Sequence, residues 1–334
     1  MPPSVLSHAE FPESTAAAEG MRVMPGQPGG RNVFVHLGVE YAVKDGRHLH
    51  VIVVQPSVDW STAEPDEVAA EKFPLIAYVQ GSGWQEQQLG ATLEPLAAFA
   101  RRGYVVAIIE YRPSSVARFP AQIADVQTAI RWLLEQAGEF HLDPQRVALW
   151  GDSSGGHTTL MTALAAADPT FTDEPGSAAL DIACYVDFYG PTALDLMDAE
   201  PSIIHHGGPG SPETALLGTQ TLAAVPDLVR RADPRSYVRR DRPVPPILIA
   251  HGSKDRLVPF QQSVLIYDAL REAGQPVELV QVKGAGHGGP TFWTAELMDL
   301  VHEFLQRHLA QDRNPADHPP AGAGADHQVP TAPR

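Results

Sequence analysis

Short apolar runs recur through the middle of the chain, at residues 49–54, 75–79, 105–109, 147–150, 183–188, 247–250 and 277–282. Each is strand-sized and rich in Val, Ile and aromatic residues. Most are nearly continuous in apolar character, the pattern of strands covered on both faces. Helical periodicity fills several of the gaps. In 121–137, Ile123, Val126, Ile130, Leu133 and Leu134 recur at three- and four-residue steps behind Pro120, a residue suited to a first helical turn. The stretches 93–102 and 260–273 stop at Gly103 and Gly274, the residue type that closes helices in the left-handed conformation. Residues 292–309 supply a last amphipathic pattern. Strands alternating with helices predict an α/β chain built on a mostly parallel sheet with helices on both faces. Residues 33–43 and 48–55 flank Asp45-Gly46, a hairpin signal, so the sheet is expected to open with antiparallel strands.

The ends and one internal stretch depart from this rhythm. Residues 1–30 and 311–334 are rich in Pro and Ala, and neither holds enough apolar surface to offset its ordering entropy, so both are expected to be disordered. Residues 191–246 show no clean alternation, contain HHGGPGSP, and are long for a connection inside a compact domain; a partial cap over a functional site is the expectation. The span 31–310 reads as one domain containing that insertion. A formal net charge of −16 argues against nucleic acid and anionic lipid as partners. The N-terminus lacks a basic segment followed by an apolar core, and no stretch approaches the length of a membrane span, so a cytoplasmic location is expected. Cys184 is the single cysteine; its apolar neighbours read as those of a buried structural thiol.

GDSSGG, residues 151–156, directly follows the apolar run 147–150. Gly151-Asp152-Ser153-Ser154-Gly155 fits the G-x-S-x-G turn, in which a serine is presented between a strand and a helix and glycines stand where Cβ atoms would clash. Ser154 fails that template, because Asp152 occupies the position where it would need glycine. A serine hydroxyl is a weak nucleophile at neutral pH. It needs a histidine to take its proton and a carboxylate to hold the histidine in the right tautomer. Among fourteen histidines, position selects His287, in the glycine-rich loop after 277–282, and Asp255 lies just past 247–250. The order serine, aspartate, histidine is that of α/β-hydrolases, and all three follow strands, on the edge where open α/β sheets place their sites. Asp187, within 183–188, is the rival acid. The glycine-containing turn 80–84 follows the strand 75–79 and can aim backbone N–H groups at a developing oxyanion, as can Ser154 at the start of a helix; each such donor is worth about 3–4 kcal/mol. His157 reads as a packed, hydrogen-bonded histidine. His205 and His206 are weak as a metal pair, lacking a nearby ligand set, and read as insertion residues near the site entrance. Trp84 either walls the pocket or packs beneath it.

These segments together resemble the α/β-hydrolase-fold carboxylesterases of the hormone-sensitive-lipase-like and bacterial feruloyl/acetyl-xylan-esterase-like branch. The resemblance covers about residues 33–309 and rests on QGSGW at 80–84, EYRPS at 110–114, RFPAQIADVQTAIRWL at 118–133, LDPQRVALWGDSSGGH at 142–157, SPETALLG at 211–218, HGSKDRLVP at 251–259 and GAGHG at 284–288. It implies the α/β-hydrolase fold, with a twisted sheet of about eight strands. It also implies Ser153 as nucleophile, Asp255 as acid, His287 as base, and oxyanion N–H donors at Ser82, Gly83 and Ser154. The chain departs from the family's His-Gly-Gly-Gly with Gln80-Gly81-Ser82-Gly83. Gln80 is not expected to brace the loop as the histidine does, and the donor assignment among residues 81, 82 and 83 stays open by one position.

The expected chemistry is hydrolysis of a small-molecule ester through an acyl-enzyme, with no metal or organic cofactor. Short acyl groups are expected because no extended apolar lid helix is evident in 191–246. Trp84 and His206 are expected against the substrate. Three other readings stand beside this one: transfer of the acyl group to an alcohol or amine, a prolyl-oligopeptidase-like peptidase, and a ligand binder that has lost catalysis. A homo-oligomer is compatible with the sequence, which does not fix the oligomeric state.

Overall fold

The computed structural model describes residues 10–25, 31–57, 71–174 and 176–310. Its strands are β1 (Val33–Lys44), β2 (Arg47–Pro56), β3 (Phe73–Val79), β4 (Val105–Ile109), β5 (Leu142–Asp152), β6 (Cys184–Phe188), β7 (Ile247–Gly252) and β8 (Val277–Val282). Its α-helices are α1 (Leu93–Arg101), α2 (Ala121–Glu135), α3 (Ser154–Leu164), α4 (Pro212–Leu217), α5 (Pro226–Arg231), α6 (Gln261–Glu272) and α7 (Ala295–His308). The strands form one sheet of eight in the order β1-β2-β4-β3-β5-β6-β7-β8. The pairs β1–β2 and β2–β4 are antiparallel, and all others are parallel. At the β1–β2 turn, Asp45 and Gly46 both have left-handed backbone, with φ of 50° and 72°, as a tight hairpin requires. The architecture is the α/β-hydrolase fold.

Alternation within the apolar runs decides the layering. On β3, Leu75, Ala77 and Val79 face one side and Ile76 and Tyr78 the other, and the whole strand is buried. A strand buried twice needs cover on both faces. Val126, Ile130 and Leu133 of α2, Leu160 and Leu164 of α3, and Ile266 and Leu270 of α6 cover the first face. Leu96 and Phe99 of α1 and Val301, Phe304 and Leu305 of α7 cover the second. Cys184 is buried on β6.

Two boundaries differ from the sequence reading by more than two residues. β5 starts at Leu142 rather than Val147, because Leu142 and Asp143 pair with Phe73 and Pro74 across a register shift. The polar residues 143–146 hide that extension from an apolar pattern. The last helix starts at Ala295, where the Thr294 side chain caps it by accepting from the Leu297 N–H; Pro290–Phe292 form a separate 3₁₀ turn before it.

The segment 191–246 folds into short pieces, none of its helices exceeding six residues. They pack on a third apolar cluster in which Leu194, Leu216, Leu217 and Val229 meet Trp84, Phe119, Met161 and Phe171. Of the terminal segments expected to be disordered, residues 1–9, 26–30 and 311–334 lie outside the described residues, while residues 10–25 are exposed and form no strand. Among the described residues, no helix is long and apolar enough to cross a membrane. An ion cluster centred on a buried pair fixes the EYRPS segment: Arg112 grips buried Asp125 through Nε and Nη2 (3.1 and 2.7 Å), and reaches the exposed carboxylates of Asp45 (2.7 Å) and Asp173 (3.0 Å). It ties the hairpin turn to α2.

Candidate active site

Between the end of β5 and the start of α3, Ser153 has φ 52° and ψ −124°, a backbone that a residue with a Cβ rarely adopts. The chain turns this sharply because the residues two positions away on either side, Gly151 and Gly155, lack side chains. A Cβ on Gly155 would overlap the Val79 carbonyl on β3, and one on Gly151 would overlap the Gly155 carbonyl. Ser153 is thereby presented at the carboxyl edge of the sheet.

His287 lies in the loop after β8 and Asp255 in the loop after β7, and the structure brings both to Ser153. Ser153 Oγ is 2.9 Å from His287 Nε2, and His287 Nδ1 is 2.7 Å from Asp255 Oδ2. An ionised carboxylate only accepts, so Nδ1 carries the proton and Nε2 accepts from the serine hydroxyl. Asp255 Oδ1 accepts the Leu257 and Val258 N–H groups at 2.8 and 2.9 Å, and Oδ2 also faces His251 Nε2 at 3.2 Å. Burial works against the Asp255 charge, but the hydrogen bonds from His251 and His287 outweigh it and hold the carboxyl well below the usual range. Tyr189, edge-on to His287 with ring centroids 4.8 Å apart, packs against the imidazole.

The rival acid lies elsewhere. Asp187 is fully buried, and its Oδ1 accepts the Gly190 N–H at 3.0 Å rather than meeting His287. Burial, reinforced by the neighbouring Asp152 charge, pushes its carboxyl up to about 7. His157 is also fully enclosed, donating from Nε2 to the Ala232 carbonyl at 2.7 Å, and burial pushes it down to about 4. These two groups oppose each other in acid. As pH falls from 6.5 towards 4, the unfolded chain protonates its histidine before the native state does, and stability is lost. As pH falls from about 7 towards 3.8, native Asp187 holds a proton the unfolded chain lacks, and stability is gained. Asp187→Asn removes the second contribution. The stability of the variant relative to the parent should therefore rise about tenfold in unfolding equilibrium per pH unit between about 4 and 7, and level off outside that window. Urea titrations across pH check this; a constant difference between the two proteins contradicts it.

The 80–84 turn differs from expectation in its donors. The Gly81 N–H is committed to Asp152 Oδ1 at 2.9 Å, and the Ser82 N–H, expected to face substrate, donates to Ser154 Oγ at 2.9 Å. The extra Ser82 side chain donates to the Gln85 carbonyl at 2.7 Å and meets the Tyr111 hydroxyl at 2.9 Å. Among the described residues, the Gly83 and Ser154 N–H groups have no hydrogen-bond acceptor. Gln80 does brace the loop, donating from Nε2 to the Gln88 carbonyl at 2.8 Å. Asp152 is a residue the sequence reading missed: its Oδ1 also accepts the Tyr78 hydroxyl at 2.7 Å, joining elbow, turn and β3. Only its place inside the elbow motif hinted at a role.

Trp84 and His206 do not stand where they were expected. Trp84 is 2% exposed and packs edge-on against His157, with centroids 5.2 Å apart. It lies beneath the turn and presents no face to a ligand. His206 is 1% exposed. Its Nδ1 is 2.8 Å from Glu213 Oε1, and its Nε2 is 2.9 Å from both the Leu257 carbonyl and Ser202 Oγ. Each ring nitrogen faces an acceptor; burial opposes the charge, but the Glu213 carboxylate outweighs it and raises the imidazole above its ordinary value. The Leu257 N–H donates to Asp255, so His206 ties the acid's loop to Glu213 on α4. At the start of α4, Pro212 Cβ comes within 3.3 Å of where a Cβ on Gly83 would stand. His205 is exposed and pairs with Asp198 at 2.8 Å.

Fold and site together define an α/β-hydrolase with a serine at its strand–helix elbow, a histidine in contact with it, and a carboxylate behind the histidine. The family described as BD-FAE matches over residues 64–270, more than half of the chain, and the chain belongs to that family. It is 30% identical over 248 residues to Esterase LipQ of Mycobacterium tuberculosis, covering 72% of this chain and 57% of that protein. It therefore spans less than two thirds of that relative's length. A thermophilic esterase of Thermogutta terrifontis, Est2, superposes with a TM-score of 0.62 at 26% identity, over 85% of this chain and 95% of the other. A truncated carbohydrate esterase from gut microbiota superposes with a TM-score of 0.70 at 24% identity, over 86% of this chain and 100% of the other, a likeness of fold.

Proposed function

We propose that the chain is a serine carboxylic-ester hydrolase for short-chain acyl esters, working through an acyl-enzyme. The unbroken contact from Ser153 through His287 to Asp255, at 2.9 and 2.7 Å, carries this reading. Ser153 Oγ attacks the ester carbonyl as His287 Nε2 takes its proton, and Asp255 stabilises the imidazolium that forms. The oxyanion accepts from the uncommitted N–H groups of Gly83 and Ser154, the latter at the start of α3 where the helix dipole favours negative charge. His287 then protonates the leaving alcohol, and its neutral ring draws a proton from water as that water attacks the acyl-enzyme. The short helices of 191–246 offer no long apolar cover for an extended acyl chain, which supports the preference for short ones.

A series of 4-nitrophenyl esters tests this reading. Acetate to butyrate should give the highest kcat/KM, with octanoate and palmitate lower by about tenfold or more; a flat or rising series removes the short-chain preference. Failure to hydrolyse any of the esters removes the hydrolase reading itself. His206 enters the same account as a positioning residue, since it holds the loop of Asp255 against α4. His206→Gln should lower kcat about tenfold with KM little changed, because small misplacements of reacting groups cost rate more than binding. Steady-state kinetics with 4-nitrophenyl acetate, beside an unchanged far-UV spectrum, checks it; an unaltered kcat contradicts the brace.

A further inference from the structure

Just beyond Gly83, Gln85 opens onto a cavity of about 680 Å³, within the range of small-molecule sites. One wall is the segment 114–118, held at its root by the Arg112 ion cluster. The other is α4 and the turn that follows it. Hydroxyl and amide groups dominate the lining: Ser114, Ser115, Thr214, Thr219 and Gln85 among them, with Val116 as the one large apolar residue. Arg118 is the only charged side chain there.

Arg118 is seated in this place by the fold. Gly218 closes α4 with φ +67°, and a Cβ at that position would overlap the Arg118 guanidinium, so the absence of a side chain makes the room that Arg118 fills. The next residue, Phe119, is buried, and its N–H donates to the Leu216 carbonyl at 3.0 Å, pinning the backbone to the helix end. Among the described residues, the exposed Arg118 guanidinium has no ion-pair or hydrogen-bond partner, while the Arg118 carbonyl accepts the Ala121 N–H. The cavity adjoins the 80–84 turn, whose Gly83 faces the candidate active site. Gln85 Nε2 donates to Ser114 Oγ at 2.6 Å and to the Gly83 carbonyl at 3.3 Å, and Pro212, at the other end of α4, abuts Gly83.

We propose that this cavity is a subsite for the part of the ester remote from the reacting carbonyl, and that it takes a hydroxylated carboxylate of the sugar-acid class. This rests on the hydrolase reading above. A planar guanidinium matches a carboxylate in a bidentate pair. The exposed side chains of Ser115 and Gln220 on the two walls match ligand hydroxyls, while the Thr214, Thr219 and Ser114 hydroxyls are engaged within the protein. One cation fits one carboxylate better than a doubly charged phosphate, which in a chain of net charge −16 needs more positive partners. An apolar acyl chain finds too little apolar wall.

The test compares an acetylated glucuronic acid with the matching acetylated glucose, in the parent protein, Arg118→Gln and Arg118→Lys. The parent should favour the acid by about tenfold in kcat/KM, Arg118→Gln should erase that ratio, and Arg118→Lys should keep part of it. A parent ratio near one, or a ratio unchanged in Arg118→Gln, overturns the subsite. If neither acetate is released, direct calorimetry with free D-glucuronate and D-glucose decides separately. Tighter binding of glucuronate that is lost in Arg118→Gln keeps the subsite and leaves only the hydrolase reading in error. No difference between the two sugars overturns the subsite as well.

Discussion

Ser153→Ala is expected to lower kcat for 4-nitrophenyl acetate by about 10⁴- to 10⁶-fold, with the fold intact. Among the described residues, no hydroxyl other than that of Ser153 lies within hydrogen-bond distance of His287. Ser154 Oγ, its nearest rival in sequence, accepts from the Ser82 N–H at 2.9 Å and faces the Tyr111 hydroxyl at 3.3 Å, so it is turned into the 80–84 loop and away from His287. His287→Ala should lose a comparable factor, because the serine then lacks its base. The double variant should lose little more than either single one, since the two groups act as a unit. What remains should be the contribution of the Gly83 and Ser154 N–H groups, proposed above as the oxyanion donors, which would act whether or not the attacking oxygen comes from Ser153. Rates measured on the two single variants and the double variant check the non-additivity. Losses that multiply would mean that serine and histidine act independently.

The second large effect falls on folding. Gly155→Ala places a methyl group on the Val79 carbonyl oxygen. That oxygen belongs to β3, paired on one side with β4 and on the other with β5, so the strand cannot step aside. The elbow cannot step aside either, because Ser153 N–H is held by the Phe188 carbonyl at 2.8 Å. We expect destabilisation beyond about 4 kcal/mol, the range reserved for severe packing failure, and recovery mainly in the insoluble fraction. Gly286→Ala is the matched control. The nearest neighbour of its added Cβ is the Lys254 carbonyl oxygen at 3.9 Å, an ordinary contact, and its stability should stay within about 1 kcal/mol of the parent. Thermal melting of the two variants separates these outcomes. A Gly155→Ala protein that melts with the parent contradicts the steric account of the elbow.

How much of this was legible in the sequence depended on the range of the interaction. The elbow was legible because its constraints are local: glycines and serine within one turn, after an apolar strand. The sheet was legible because burial on both faces leaves continuous apolar runs. Asp255 and His287 were legible through their positions after strands; Asp187 satisfies the same chain order, so Asp255 was preferred only for standing just past a strand while Asp187 lies inside one. The structure gives it a physical basis, since Asp187 faces Gly190 while Asp255 is set by the Leu257 and Val258 N–H groups. Trp84 and His206 were misplaced because their surroundings come from distant segments: His157 on α3 for one, Leu257 and Glu213 for the other. The Ser82 donor was misassigned for the same reason. Nothing near residue 82 in sequence announces that Ser154 Oγ takes its N–H.

Covalent labelling with diisopropyl fluorophosphate, read by intact mass and then by peptide mapping, tests the central claim most directly. The account predicts one adduct per chain, located on Ser153, forming far more slowly in His287→Ala. An adduct on any other residue, or a parent protein that stays unlabelled at reagent excess, would contradict it.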